Sequence, residues 1–329
     1  MKILAWILGI AVAFVAIVWL AFQLSPWPAV LLIRRGFDKG AAEASQALEK
    51  HVPAGVSELR NETYDASDPD RHLDVFFPSD VKNSDRTLMT VVWIHGGAWI
   101  SGTKDQIANY AKVLAGNGYT VVGVDYSVAP GKTYPTPVRQ VNTALGYLVK
   151  NAQRLHVDSS RFVLAGDSGG AHIAAQVVNV ISVPSYASAL RITPSLQRSQ
   201  VRGMVLFCGP YDVGKVKLDG SFGGFLRTVL WSYSGTKDFM TNPQFATASV
   251  VNYVTGEFPP AFISAGNADP LEPQSRELAE ALASHGVLVD TLFFPKDYAP
   301  PLAHEYQFNL DVTAGRGALN RMLAFLSAR

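Results

Sequence analysis

The chain has 329 residues with 28 basic against 27 acidic side chains, a formal charge of +1, and no run of Lys or Arg that would neutralise a row of phosphates, so nucleic acid is excluded as an expected partner. Apolar residues make up 48% and charged residues 17%, enough for a large core with some left for a bilayer, and this balance excludes a disordered chain. The single cysteine, Cys208, cannot close an intramolecular disulfide; within Val205-Leu206-Phe207-Cys208 it reads as a small buried thiol and leaves the compartment open.

Ile3 to Leu24 carries no charge. As a helix it would reach about 33 Å, against roughly 30 Å for the hydrocarbon thickness of a bilayer. Residues 1–25 are therefore expected to be a single-pass membrane anchor. A cleaved signal peptide, leading to a secreted or periplasmic body, is the alternative, since Lys2 precedes the run and Ala11-Val12-Ala13 offers small residues for cleavage. Lys2 on one side opposes Arg34, Arg35 and Lys39 on the other, so charge leaves the side of the membrane open. Trp27 between two prolines, then Ala29 to Ile33 and two arginines, suits a short segment at headgroup level, the alternative being a linker that packs on the domain, and 26–69 reads as linker, interfacial and cap segment.

From about residue 70 to 329, short β-branched runs alternate with helical-period segments, the pattern of a mainly parallel sheet with crossover helices. Strands are expected near 73–77, 89–94, 119–125, 161–166, 203–208, 260–265 and 288–294, and helices near 106–117, 136–155, 169–181, 272–285 and 305–328. Residues 182–200 and 211–258 interrupt the alternation. The second stretch sets Phe222, Phe225, Leu226, Trp231, Tyr233 and Phe239 among glycines, and is expected to be a cap insertion over a pocket, with ordinary core packing the alternative.

The strand Phe162 to Ala165 runs into Gly166-Asp167-Ser168-Gly169-Gly170, and a helical stretch follows. A serine on so tight a turn needs a positive or nearly positive φ, and side chains two positions away would collide with backbone unless they were glycine. Ser168 is thus the candidate nucleophile, the alternative being a helix cap. Upstream, the strand Met89 to Ile94 ends in His95-Gly96-Gly97-Ala98-Trp99. Glycines there let amides point at an oxygen, so Gly96, Gly97 and Gly169 are the expected oxyanion donors, each such donor typically contributing about 3 kcal/mol to transition-state stabilisation.

A serine hydroxyl needs a base, and the base an orienting acid. Asp269 follows the strand Ala261 to Ala265, and His304 follows the last strand. Among the other histidines, His51, His72, His95, His156 and His172 all precede that strand, and His285 before Gly286 reads as a helix C-terminal residue. Asp290 falls within a strand and Asp297 comes too late.

Together, His95 to Trp99 with Gly102, Asp125 to Pro130, Gly166 to Gly170 and Asp269-Pro270-Leu271 resemble the hormone-sensitive-lipase-like esterases and the related kynurenine-formamidase-like (BD-FAE-like) members of the α/β-hydrolase superfamily, over roughly residues 70–329. The resemblance implies an α/β-hydrolase fold with Ser168, Asp269 and His304 in its chain order. It implies Ser168 as nucleophile, His304 as general base, Asp269 as its acid, amides of Gly96, Gly97 and Gly169 for the oxyanion, and structural roles for Asp125, Tyr126 and Asp167. Ala98 stands where many relatives have a third glycine, and Gly169 where many have alanine.

The expected activity is hydrolysis of carboxylic esters of short to medium acyl chain through an acyl-enzyme, with a small-molecule ester as partner and no metal or cofactor required. The same apparatus would serve a formamidase, an amidase or a carbohydrate deacetylase. A non-catalytic ligand-binding protein of this fold is a further alternative, disfavoured by the presence of His304. The oligomeric state is open.

Overall fold

The computed structural model describes residues 2–220 and 222–329. Two helices lead the chain, α1 (Lys2–Leu24) and α2 (Trp27–Leu48), and then β1 (Val56–Thr63), β2 (His72–Pro78), β3 (Leu88–Ile94), α3 (Ala108–Ala115), β4 (Thr120–Val124), α4 (Thr136–Lys150) and β5 (Val157–Asp167). The second half comprises α5 (Ser168–Ser182), α6 (Pro184–Leu190), β6 (Val201–Phe207), α7 (Gly223–Ser234), α8 (Pro243–Ala246), β7 (Ala261–Ser264), α9 (Glu272–Ser284), β8 (Val289–Leu292) and α10 (Thr313–Ser327).

The strands form one sheet in the order β1-β2-β4-β3-β5-β6-β7-β8. β1 and β2 pair antiparallel, β2 meets β4 antiparallel, and every pair from β4 to β8 is parallel. Helices cover both faces, so the central strands carry apolar residues at successive positions, the signature of strands hidden from water on two sides. Val92 and Ile94 of β3 join the core shared with α4 and α5, whereas Val91 and Trp93 face the core shared with α3 and α10. The parallel register brings the ends of β3 and β5 level, Ile94 opposite Gly166, which sets the glycine turn beside the serine elbow.

The seven expected strands are all present, within four residues of the expected bounds. An eighth, β1, lies in a stretch read as linker. Its sequence, Val-Ser-Glu-Leu-Arg-Asn-Glu-Thr, belongs to a polar edge strand with an irregularity between Leu59 and Glu62, so the two-residue period is broken where it would have been read. The expected helix over 305–328 begins only at Thr313, because a short 3-10 turn at Tyr306–Phe308 precedes it.

Helix α1 is long and apolar enough to cross a membrane, and none of its residues is buried. By length and composition it is either a membrane span or a signal sequence. The stretch read as a headgroup-level segment or a linker packed on the domain is α2, a helix of 22 residues that buries Val30 and Leu48 against the body. Pro28 in its first turn forfeits no bond, since amides there have no intrahelical acceptor.

Candidate active site

Ser168 sits where β5 turns into α5, with φ at +49°. A side chain at Gly166 would place its Cβ 2.7 Å from the Ala171 nitrogen, and one at Gly170 would stand 2.1 Å from the Ile94 carbonyl oxygen. Neither position accepts a methyl group, so the turn that lifts the serine out of the sheet requires both glycines.

Asp269 lies in the loop after β7, its side chain fully buried. The Leu271 amide donates to its Oδ1 at 2.8 Å, and His304 Nδ1 donates to its Oδ2 at 2.8 Å. The Ser168 hydroxyl donates to His304 Nε2 at 3.0 Å. Three residues from separate parts of the chain thus form one hydrogen-bonded relay at the carboxyl edge of the sheet. The His304 loop is tied down by its neighbour: Ala268 N donates to Leu302 O at 3.0 Å, Leu302 N to Asn267 Oδ1 at 2.8 Å, and Asn267 Nδ2 to Tyr298 O at 3.0 Å.

Two further side chains approach His304 that the sequence alone does not single out. Glu305, in the left-handed region at φ +61°, places its Oε1 3.6 Å from His304 Nε2. The Cys208 thiol is within 4.8 Å of the ligand atoms of both Asp269 and His304. Adjacency to His304 was the available signal for Glu305. For Cys208 it was the position at the end of β6, next to β5; the thiol is buried as expected, but against the imidazole. Burial pushes that thiol up to about 11, so near neutrality it is uncharged. Burial also opposes charge on His304, yet Cys208, Asp269 and Glu305 outweigh it and raise the imidazole well above its usual range. With the thiol neutral, the two carboxylates are the charged partners.

Asp167 is fully enclosed behind the elbow, where Trp93 Nε1 donates to its Oδ1 at 2.8 Å. Burial, then the neighbouring Glu305 carboxylate, pushes it up to about 7. It shapes the turn and makes no contact with the relay nitrogens among the hydrogen bonds of the described residues.

The glycine turn after β3 runs past Ser168. A Cβ at Gly96 would stand 3.2 Å from Ser168 Cβ and 2.2 Å from Asp167 Oδ2. Gly97 has φ +102°, and Ala98 and Trp99 follow at +50° and +62°. Among the described residues, the amides of Gly96 and Gly97 donate to no other backbone group. Gly169 lies across from them, its Cβ position 3.1 Å from the Trp99 nitrogen. Uncommitted amides beside a serine hydroxyl are what a developing oxyanion needs. His95 is buried under Tyr126, the rings stacked at 4.3 Å, and burial lowers its pKa so that it stays neutral. Tyr126 donates to His95 O at 2.8 Å, and Asp125 accepts from Lys104 N at 2.6 Å, so both brace the turn.

An aromatic wall rises beside the turn. Trp99 stacks flat on Tyr233 at 4.8 Å, and its Nε1 donates to His172 Nδ1 at 3.1 Å. His172 Nε2 donates to Ala248 O at 2.7 Å, and burial brings this imidazole down to about 4, so it is a neutral packing residue. Tyr134 and Phe245 close around Tyr233. The stretch 211–258 therefore contributes Tyr233, Phe245 and the Ala248 carbonyl to the surroundings of Trp99.

The BD-FAE family model matches residues 73–282. Among solved structures, esterase B from Lactobacillus rhamnosis is similar with a TM-score of 0.77 at 23% identity, over 92% of this chain and 95% of that one. The hyperthermophilic esterase from the archaeon Pyrobaculum calidifontis gives 0.71 at 22% identity over 94% and 95%. A bacterial heroin esterase gives 0.67 at 24% identity over 89% of each chain. The fold is that of the α/β hydrolases. With its family model spanning well over half of the sequence and both glycine-rich turns within it, this chain belongs to the BD-FAE family.

Proposed function

We propose that this protein is a carboxylic-ester hydrolase in which Ser168 attacks the ester carbonyl while His304 takes its proton, Asp269 holds the imidazole, and the Gly96, Gly97 and Gly169 amides receive the oxyanion. The observation that carries this reading is the continuous relay from Asp269 Oδ2 to His304 at 2.8 Å and from His304 to Ser168 Oγ at 3.0 Å. Collapse of the tetrahedral adduct breaks the bond to the alcohol, whose oxygen takes the proton from His304 Nε2. Water then enters by the same route, giving its proton to His304 and releasing the acid from Ser168.

Trp99, stacked on Tyr233 and 3.3 Å from the Cβ position of Gly169, packs closely next to the elbow, which supports short to medium acyl chains. The stretch 211–258, which packs Tyr233 against Trp99, serves as a cap beside the site. Helix α1 serves as an uncleaved membrane anchor: it is fully exposed, apolar, and directly continued by the docked helix α2.

The test uses the full chain in detergent with p-nitrophenyl acetate, butyrate and decanoate, N-formyl and acetylated-sugar substrates, and a fluorophosphonate probe followed by peptide mass analysis. Turnover of the shorter esters, with label on Ser168 and none on Ser168→Ala, is the expected result. Folded protein unlabelled at Ser168 overturns the hydrolase reading, and preference for the N-formyl or acetyl-sugar substrates replaces the ester with that class. Extraction of the chain from membranes by carbonate alone would overturn the anchor.

A further inference from the structure

The turn that carries the oxyanion amides is costly to hold. Gly97, Ala98, Trp99 and Gly102 all have positive φ, and two of these lack glycine's freedom. Ala98 and Trp99 are strained there, and such residues persist only where the surroundings over-determine them. From within, the turn is closed by Ile100 N and Ser101 N, which both donate to Gly97 O at 3.0 Å, and by Ala129 N, which donates to Trp99 O at 2.8 Å.

The remaining support comes from outside the catalytic sheet. Arg34 of α2 donates through Nη2 to Ala129 O at 2.8 Å and through Nε to Ile100 O, so one guanidinium spans the two segments already joined at Trp99. One turn along the same helix, Asp38 Oδ1 accepts from the Ser101 hydroxyl at 2.7 Å. Burial lowers the Arg34 pKa and Asp38 partly restores it, leaving the group cationic and aimed at carbonyls that no strand satisfies. Val30, fully buried, seats the helix, and Phe37 packs on Phe225 of α7, the helix whose Tyr233 stacks on Trp99.

We propose that α2, the helix continuing the apolar N-terminal span, is part of the catalytic apparatus, with Arg34 and Asp38 as positioning residues that hold the turn in the shape that presents the Gly96 and Gly97 amides. The proposal rests on the hydrolase reading. Hydrophobic seating through Val30 docks the helix; the charged pair adds a fixed geometry to a turn that would otherwise relax. Catalysis in this chain therefore depends on a segment adjoining the membrane-spanning candidate, outside the stretch matched by the family model.

The experiment uses the full chain in detergent and compares Arg34→Ala, Arg34→Lys and Asp38→Asn with Arg35→Ala, an exposed arginine on the same helix. Arg34→Ala should lower kcat on p-nitrophenyl acetate about 10- to 100-fold with KM within about twofold, since only the transition state uses the amides. Affinity for an aryl trifluoromethyl ketone, which forms a tetrahedral oxyanion on the serine, should fall by a similar factor. Arg34→Lys should recover part of the loss, Asp38→Asn should lose less, and Arg35→Ala should match the parent. Unchanged kcat and ketone affinity in folded Arg34→Ala, or a loss wholly in KM, overturns the proposal. Should Arg34→Ala fail to fold, Asp38→Asn carries the same two readouts, and parental values there overturn it equally. The fluorophosphonate separates the two readings: a parent protein unlabelled at Ser168 removes the hydrolase reading and the role of α2 with it, whereas a labelled parent with unaltered variants removes the role of α2 alone.

Discussion

On the nucleophile side of the site, Gly166 and Gly170 occupy points where a methyl group would stand 2.7 Å and 2.1 Å from backbone atoms. On the histidine side, the loop bearing His304 is held by directional bonds from Asn267 and Ala268 to Leu302 and Tyr298. Steric exclusion tolerates one residue type and is unforgiving of change. A hydrogen-bonded loop, by contrast, yields in proportion to the bonds removed. The elbow is thus expected to fail by unfolding, and the histidine loop by loss of alignment.

The largest effect should come from Asp269→Asn. Without a carboxylate to accept from Nδ1, His304 adopts the wrong tautomer, and kcat should fall about 10⁴-fold while thermal stability changes little. A fall of less than about tenfold would detach Asp269 from the relay. Next is Gly170→Ala, whose new methyl meets the Ile94 and His95 carbonyls; a loss of about 3 kcal/mol or more is expected in denaturant melts. Retained stability would show that the first turn of α5 can move away from the end of β3, and the contrast between the sides would collapse.

Asn267→Ala removes the ties at Leu302 and Tyr298 and should cost about 1–2 kcal/mol in stability, with kcat lowered about tenfold and KM little changed. Equal effects of Asn267→Ala and Gly170→Ala on stability would erase the distinction between the two sides.

The smallest effect concerns pH. His304 acts as a base only when neutral, and the Glu305 carboxylate 3.6 Å away favours its protonated form. Removing that charge lowers the imidazole pKa, so in Glu305→Gln the acid limb of the kcat/KM profile should move to lower pH, with the plateau near the parental value. A limb that stays in place would assign the raised basicity of His304 to Asp269 alone.

The same physics separates what was legible in the sequence from what was not. The elbow and the glycine turn after β3 were readable because glycine at fixed offsets around a serine, after an apolar run, is what a sharp strand-to-helix turn demands of its neighbours. Asp269 and His304 were singled out by their place after late strands, and their side chains meet at 2.8 Å. Glu305 and Cys208 were not, because a carboxylate and a thiol gain meaning only from the imidazole each approaches. The contacts of helix α2 were not legible, since its polar face of Arg34 and Asp38 looks like surface until the turn beneath it is known. β1 was missed because an edge strand needs no apolar alternation.

Local chemistry along the chain therefore determined the wound α/β sheet, the serine turn and the long apolar N-terminal stretch, all of which depend on near neighbours and on hydrophobic period. Only the tertiary structure decided that three distant side chains join through bonds of 2.8 and 3.0 Å, that a buried acid lies behind the elbow, and that α2 reaches the glycine turn after β3. Those facts depend on which strand lies beside which, and strand order is a property of the whole packed chain rather than of any segment of it.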